Sequence, residues 1–334
     1  MSGHHFLRIR CARALAALII GGISPILTPS LAAAAQWPDG KPINIIVPFS
    51  PGGFTDLIAR RFAINLGAAL NTTVVVQNKP GASGQIGTAI VAREKPDGYT
   101  LLVTATQHVI YPGLQPNLPY DPKKSFSNIA ILAYAPNVLL VPAKSPVSNA
   151  RAFTEFANKQ PQGLAFGSSS VGGSAHMSGE LYKMVAGANL QHIPYKGASP
   201  AMTDLIGAQI PAAFLDATSA AAFIQSGDVK ALAVTSKERL PSLPDVPTVA
   251  ESGYPSYESQ AWIGVFGPAD LPDAITQRVN QIAVQSTNAD ANVKWLNENN
   301  ATPANLSPSQ VSDFVESELD KWKDVINKAG VTIQ

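Results

Sequence analysis

The residues able to do chemistry fall into a few short stretches of the 334-residue chain. Gly167-Ser168-Ser169-Ser170-Val171-Gly172-Gly173 gathers three hydroxyls among glycines, Pro51-Gly52-Gly53 and Gly81-Ala82-Ser83-Gly84 are glycine-rich turns, and Asp56 and Asp216 are isolated acids. A serine nucleophile needs a strained G-x-S-x-G elbow, and none is formed around Ser168, Ser169 or Ser170. Hydroxyls at a helix start act more often as caps or anion donors. Outside the first 36 residues the histidines are His108, His176 and His192, with no pair at H-x-x-x-H or H-x-H spacing, so a zinc site is not supported. Asp56 and Asp216 could form an acid–base pair, but an acid in a first helical turn is favoured by the dipole alone, by about 0.3–1 kcal/mol. The glycine turns either only make the bend or bring an anion to unpaired helix N–H groups, and the residues of one loop leave both readings open.

The elements around these stretches decide more. An apolar β-branched run (Ile43, Ile45, Ile46, Val47) predicts a buried strand, and Pro48, Pro51, Gly52 and Gly53 stop it before a helix striped by Phe54, Ile58, Phe62, Leu66 and Leu70. The device repeats in strand 73–77, the turn at Gly81 to Gly84, a helix carrying Ile86, Ile90 and Val91, and strand 99–104. This β-α-β-α-β order, with right-handed crossovers, places both glycine turns at the carboxyl edge of a parallel sheet, where open α/β sheets bind ligands. Neither turn is a nucleotide fingerprint, because Gly81, Gly84 and Gly87 give G-x-x-G-x-x-G and Leu57 stands five after Gly52.

Further along, 107–126 is rich in Pro, Asn and Asp and reads as irregular chain, followed by strands 129–133 and 138–141 and a helix over 149–158. Strand 164–166 leads into the serine-rich turn and a helix over 174–185, with Met177, Leu181 and Met184 inward and Gly187 as its stop. Strand 190–195, helix 201–206, strand 212–215 ending at Asp216, helix 219–225 and strand 229–234 complete a second α/β unit. A proline-rich connector over 240–255 precedes strand 261–266 and helices 273–286, 291–297 and 308–329, the last striped by Val311, Val315, Leu319, Trp322 and Val325. This predicts two α/β domains, a discontinuous first (36–139 and 262–334) and a second (140–261), joined by two chain crossings that act as a hinge, with the ligand cleft between them.

The first 35 residues carry Arg8, Arg10 and Arg13, an apolar core broken by Gly21, Gly22, Ser24 and Pro25, and Ala32-Ala33-Ala34-Ala35 before Gln36. That is the pattern of a cleaved secretory signal, which sends the mature chain to the periplasm. The one cysteine, Cys11, lies in this leader, so the mature chain has no thiol for a disulfide, a metal site or catalysis. Of 24 basic residues, removing the three leader arginines leaves 21 against 23 acids, a net charge of −2 that suggests neither nucleic acid nor an anionic membrane surface.

Pro48-Phe49-Ser50-Pro51-Gly52-Gly53 with Asp56, Asn78-Lys79-Pro80-Gly81-Ala82-Ser83-Gly84-Gln85-Ile86-Gly87 and Pro96-Asp97-Gly98-Tyr99-Thr100-Leu101-Leu102 resemble the Bug family of periplasmic solute receptors. The likeness continues through His192-Ile193-Pro194-Tyr195-Lys196-Gly197, Ala231-Leu232-Ala233-Val234-Thr235 and Leu243-Pro244-Asp245-Val246-Pro247-Thr248-Val249-Ala250-Glu251, and so covers nearly the whole mature chain. The resemblance implies a type II periplasmic-binding-protein fold. It also implies a monomeric receptor that takes a small organic carboxylate, needs no cofactor or metal, and delivers its ligand to the membrane subunits of a tripartite tricarboxylate transporter. Carried over by motif, the ligand-binding residues are Phe49, Ser50, Gly52, Gly53, Gly81, Ala82, Gly84 and Gln85; the family usually has Asn at the Gln85 position. The second domain adds Ser168, Ser169 and Asp216, with Thr106 and Tyr195 as wall residues; Phe214-Leu215-Asp216 sets the acid one place later than the Phe-Asp-Asn common in the family. Two alternatives are a periplasmic hydrolase or isomerase of organic acids, which would turn its ligand over, and a ligand sensor for a signalling partner.

Overall fold

The computed structural model describes residues 37–115 and 117–333, so the expected signal, its cleavage site and Cys11 lie outside the described residues. β1 (Ile43–Val47), α1 (Phe54–Leu70), β2 (Val74–Asn78), α2 (Gln85–Val91) and β3 (Thr100–Ala105) form the β-α-β-α-β unit. β1 lies between β2 and β3, parallel to both. α1 buries Ile58, Phe62 and Leu66 on the expected face.

Two expectations fail in the next stretch. Residues 107–114, expected to be irregular, form helix α3 (Gln107–Leu114) even though Pro112 lies inside it. Burial of Val109 and Ile110 and close packing on the C-terminal helix, where a Cβ at Gly113 would meet Ile326 Cδ1 at 2.6 Å, outweigh the proline. The two strands expected at 129–133 and 138–141 are one, β4 (Phe126–Pro142), which continues through Pro136. Pro136 needs no ladder donor there because its position is where β4 changes partners.

α4 (Ala150–Asn158) is capped by Asn149, whose side chain accepts the Ala152 N–H. Beyond it run β5 (Leu164–Ser168), α5 (Ser174–Ala186), β6 (Leu190–Pro194), α6 (Ala198–Ile206), β7 (Ala213–Asp216), α7 (Ala217–Gln225) and β8 (Val229–Val234). β5 pairs parallel with β6 and β7, repeating the arrangement of the first unit. α5 ends at Gly187 as expected, but Met184 is 37% exposed, not inward. The first two turns of α5 are buried on every side, from Ala175 to Tyr182, and the last turn emerges from that packing with Met184 on it. On α2, Ile86 is 52% exposed and lies over Gly81, whose added Cβ would meet Ile86 Cδ1 at 2.6 Å.

The chain returns through β9 (Gln260–Pro268) and ends with α8 (Asp273–Thr287), α9 (Asp290–Glu298), β10 (Thr302–Pro303) and α10 (Pro308–Ala329). α10 opens with a Ser307–Gln310 capping box and buries Val311, Val315, Leu319, Trp322 and Val325, the whole expected stripe. The strands form one path, β2-β1-β3-β9-β4-β7-β5-β6, with β8 and β10 also on β4. Among the described residues no helix is long and apolar enough to cross a membrane.

Candidate functional site

Strand register locates the two carboxyl edges. The last residue of β3, Ala105, lies opposite Ile263 of β9, which lies opposite Ala133 of β4. The last residue of β7, Asp216, lies opposite Asn137 of the same β4. β9 is antiparallel to both β3 and β4, and β7 is antiparallel to β4, so the carboxyl ends of β3 and β7 point toward each other along β4. Four strand positions separate Ala133 from Asn137, about 13 Å at 3.3 Å per residue. The turns that follow β1, β2 and β3 therefore face those that follow β5, β6 and β7.

On the first edge, the turn between β1 and α1 is built on Asp56, which is only 1% exposed. Its carboxylate accepts the Gly52 N–H at 2.9 Å, Arg60 Nε at 2.9 Å and Asn78 Nδ2 at 2.9 Å. Burial pushes the Asp56 carboxyl up, but the Arg60, Gly52 and Asn78 donors together more than offset it and hold it at about 2. The Gly52 N–H, one of the donors expected for a ligand, is thus engaged internally. Gly52 itself sits at φ 85°. Ser50, Gly52 and Gly53 are exposed, and Gly53 begins α1 with no side-chain cap.

The second turn has four successive residues at positive φ: Gly81 (129°), Ala82 (45°), Ser83 (54°) and Gly84 (96°). Two of these carry a Cβ, a cost of roughly 1–2 kcal/mol each in the left-handed region, and such strain persists where the surroundings enforce it, often at functional sites. Gly84 donates its N–H to Gly81 O at 3.0 Å. The Phe49 ring packs on Gly84, where an added Cβ would meet Cε1 at 3.3 Å, and Asn78 Nδ2 donates to Phe49 O at 3.0 Å, so the two turns form one surface. Gln85 is buried, and its Nε2 donates to Gln115 Oε1 beyond α3. Thr106 is 1% exposed, and its Oγ1 accepts the Trp262 N–H at 2.8 Å, tying the end of β3 to β9.

On the second edge Ser168 is wholly buried. Its hydroxyl donates to Ser170 O at 3.0 Å and lies 2.7 Å from His192 Nε2, which must then be the donor to it. Wholly buried and with a partner on each side, this hydroxyl is not presented to a substrate, which argues against the nucleophilic reading. Ser169 is half-buried, Ser170 is exposed, and Ser169 O accepts the Gly197 N–H at 2.9 Å. Tyr195 donates its N–H to Ser168 O at 2.9 Å and its hydroxyl to Asp204 at 2.7 Å, so its side chain is anchored on α6; burial first, then the Asp204 carboxylate, push its phenol up to about 12. Asp216 caps α7 by accepting the Ser219 N–H at 2.8 Å. α5 and α6 begin at Gly173 and Gly197 with no side-chain cap.

The structure thus gathers Phe49, Ser50, Gly52, Gly53, Gly81, Ala82 and Gly84 on one edge and Ser168, Ser169, Tyr195 and Asp216 on the other. The side chains of Ser168, Thr106, Tyr195 and Gln85 already have protein partners. Sequence reasoning missed Asn78, which joins the first two turns, and the stacking of His176 on His192, whose ring centroids are 3.6 Å apart. Asn78 was legible as the polar residue ending β2; the histidine pair, sixteen positions apart on different elements, left no local signal. Among the described residues no group of three or more His, Cys, Asp or Glu could hold a metal ion.

Residues 58–331 match the profile described as tripartite tricarboxylate transporter family receptor. Protein BugT of Bordetella pertussis is 33% identical over 313 residues, covering 92% of this chain and 96% of BugT. R. palustris Rpa4515, solved with adipate, is 31% identical with a TM-score of 0.75 over 89% of this chain and 99% of that one. MatC from Rhodopseudomonas palustris, solved with bound malate, is 27% identical with a TM-score of 0.70 over 85% of this chain and 98% of its own. With these matches along nearly its whole length and the fold of the periplasmic receptors, the chain belongs to the tripartite tricarboxylate transporter receptor family, whose members are solute-binding receptors and not enzymes.

Proposed function

We propose that this receptor binds a small organic diacid between two lobes, 36–139 with 262–334 and 140–261, and hands it to transporter subunits in the membrane after secretion and cleavage before Gln36. The observation that carries the reading is the opposition of the two carboxyl edges, each with helices that start at uncapped glycines: α1 on one side, α5 and α6 on the other. First-turn N–H groups without a side-chain cap favour an anion, and the helix dipole adds to this. Hydrogen bonds to a charged group contribute about 1.5–3 kcal/mol each, so four such donors give roughly 6–12 kcal/mol gross, against about 8 for micromolar binding before ordering and association are counted.

One carboxylate would lie on the surface formed by Ser50, Gly53, Ala82 and Ser83, and the other end would meet Ser169, Ser170 and the start of α6. Adipate and malate in the solved relatives are both dicarboxylates, which supports a two-ended ligand. β4 changes partners between Pro136 and Asn137, and β9 begins at Gln260, so these two strands carry the chain between the lobes, and closure would also shift the packing of α5 on α10. A ligand that touches both edges binds the closed form better and shifts the population toward it. A thermal-shift panel of carboxylates, followed by small-angle scattering with any hit, tests this. Stabilisation by diacids with a smaller radius of gyration is expected; stabilisation only by sugars, cations or neutral amides would overturn it.

A further inference from the structure

We propose that the stacked imidazoles of His176 and His192, backed by Glu180, position the serine-rich turn and make ligand affinity fall as the surroundings become acidic. The inference rests on that turn forming one wall of the diacid site described above. His176 is almost wholly buried in the first turn of α5, and its Nδ1 accepts the Gly172 N–H at 3.0 Å. Nδ1 is therefore unprotonated and the ring's single proton sits on Nε2, 3.6 Å from Glu180 Oε1. His192 lies parallel to this ring within 18° and donates from Nε2 to Ser168. Two neutral imidazoles thus hold the turn at both ends, one through Ser168 and the other through Gly172.

Adding a proton breaks this arrangement at one place. His192 resists it: burial, and then the neighbouring His176, push it down to about 3. His176 has the buried Glu180 carboxyl beside it, with Oε1 3.6 Å from Nε2, so a new positive charge has a partner within reach. Lys183 Nζ, 3.5 Å from Glu180 Oε2 and partly exposed, opposes the charge weakly. From the strands Phe166 lies against both rings and the Ser168 hydroxyl meets His192, and neither carries charge. Protonated His176 carries a hydrogen on Nδ1, which then points at the Gly172 N–H, donor against donor at 3.0 Å. Gly172, at φ 68° and packed beside Leu114, Tyr111 and Ile333, loses its acceptor immediately before Gly173 opens α5. The turn must rearrange, and the wall it forms is lost until the proton leaves.

The test uses the full mature protein, labelled with ¹³C and ¹⁵N, and follows the His176 ring and the Gly172 amide between pH 8 and 5, alongside calorimetry with malate and adipate at pH 7.5 and 5.5. The His176 and Gly172 signals should move together, and affinity for whichever diacid binds should be weaker at pH 5.5 than at pH 7.5. His176→Gln keeps a donor and an acceptor but cannot titrate, so its pH profile should be flat whatever its affinity at pH 7.5. A Gly172 amide that stays unmoved while His176 protonates would overturn the proposal, as would an equal acid loss in His176→Gln. The wild-type titration decides the matter even if the variant fails to fold. If neither diacid binds at pH 7.5, the diacid reading fails, while the coupled titration still decides whether His176 controls the turn.

Discussion

Asp56→Asn tests whether an ionised carboxylate builds the first glycine turn. Asp56 is nearly wholly buried and holds Gly52, Arg60 and Asn78, and its carboxyl lies at about 2, below the usual 3.8. One pKa unit is 1.36 kcal/mol, so this difference is worth about 2.4 kcal/mol at pH 7; Arg60 is half exposed and its share is screened, which brings the expected loss to about 2 kcal/mol. A carboxyl lowered by folding contributes stability above its unfolded value and loses it as pH falls through the folded one. The gap between wild type and Asp56→Asn in urea unfolding should therefore be about 2 kcal/mol at pH 7 and roughly half that by pH 3. An equal gap at both pH values would refute the reasoning, because a purely steric or packing role does not titrate. The variant should also bind ligand more weakly, since Gly52 loses a charged acceptor.

Gly84→Ala places a Cβ at φ 96° and 3.3 Å from the Phe49 ring, so it should cost about 1–2 kcal/mol and weaken binding by moving Phe49; calorimetric scans and titrations that match wild type would show the turn to be passive. His108 is buried among Phe126, Phe266 and Tyr120 with both ring nitrogens unpaired, and burial lowers it to about 4. The unfolded chain takes up its proton near 6.5, so stability is full above that value and declines by about 3 kcal/mol as pH falls to 4; His108→Leu should flatten this window in acid-unfolding curves. Glu318 Oε2 accepts the indole N–H of both Trp262 and Trp322, and Glu318→Leu leaves two buried donors unpaired, which should lower urea stability by about 2–6 kcal/mol and alter tryptophan emission.

Elements governed by their own residues were legible in the sequence. The stripe of α10 and the Gly187 stop follow from local spacing and backbone preference. The glycine turns were placed correctly at strand ends because two β-α repeats specify an edge. What depended on distant partners was not legible. Pro136 looks like a break until β9 pairs up to it and β7 takes over beyond it, and α3 looks irregular until α10 packs on it. Ser168 looks like an available hydroxyl until His192, 24 positions away, takes one of its bonds and Ser170 the other. Asp56 looks like a simple first-turn acid, and only the fold brings Asn78 and Gly52 to it.

The central claim, a cleft whose two edges each take one carboxylate, is tested most directly by calorimetric titration of ligand-free protein with adipate, its monoamide and its diamide. One diacid per chain, progressively weaker binding as each carboxylate becomes an amide, and recovery of the diacid unchanged are expected. Equal affinity for the diamide, or no binding by any diacid, would contradict it.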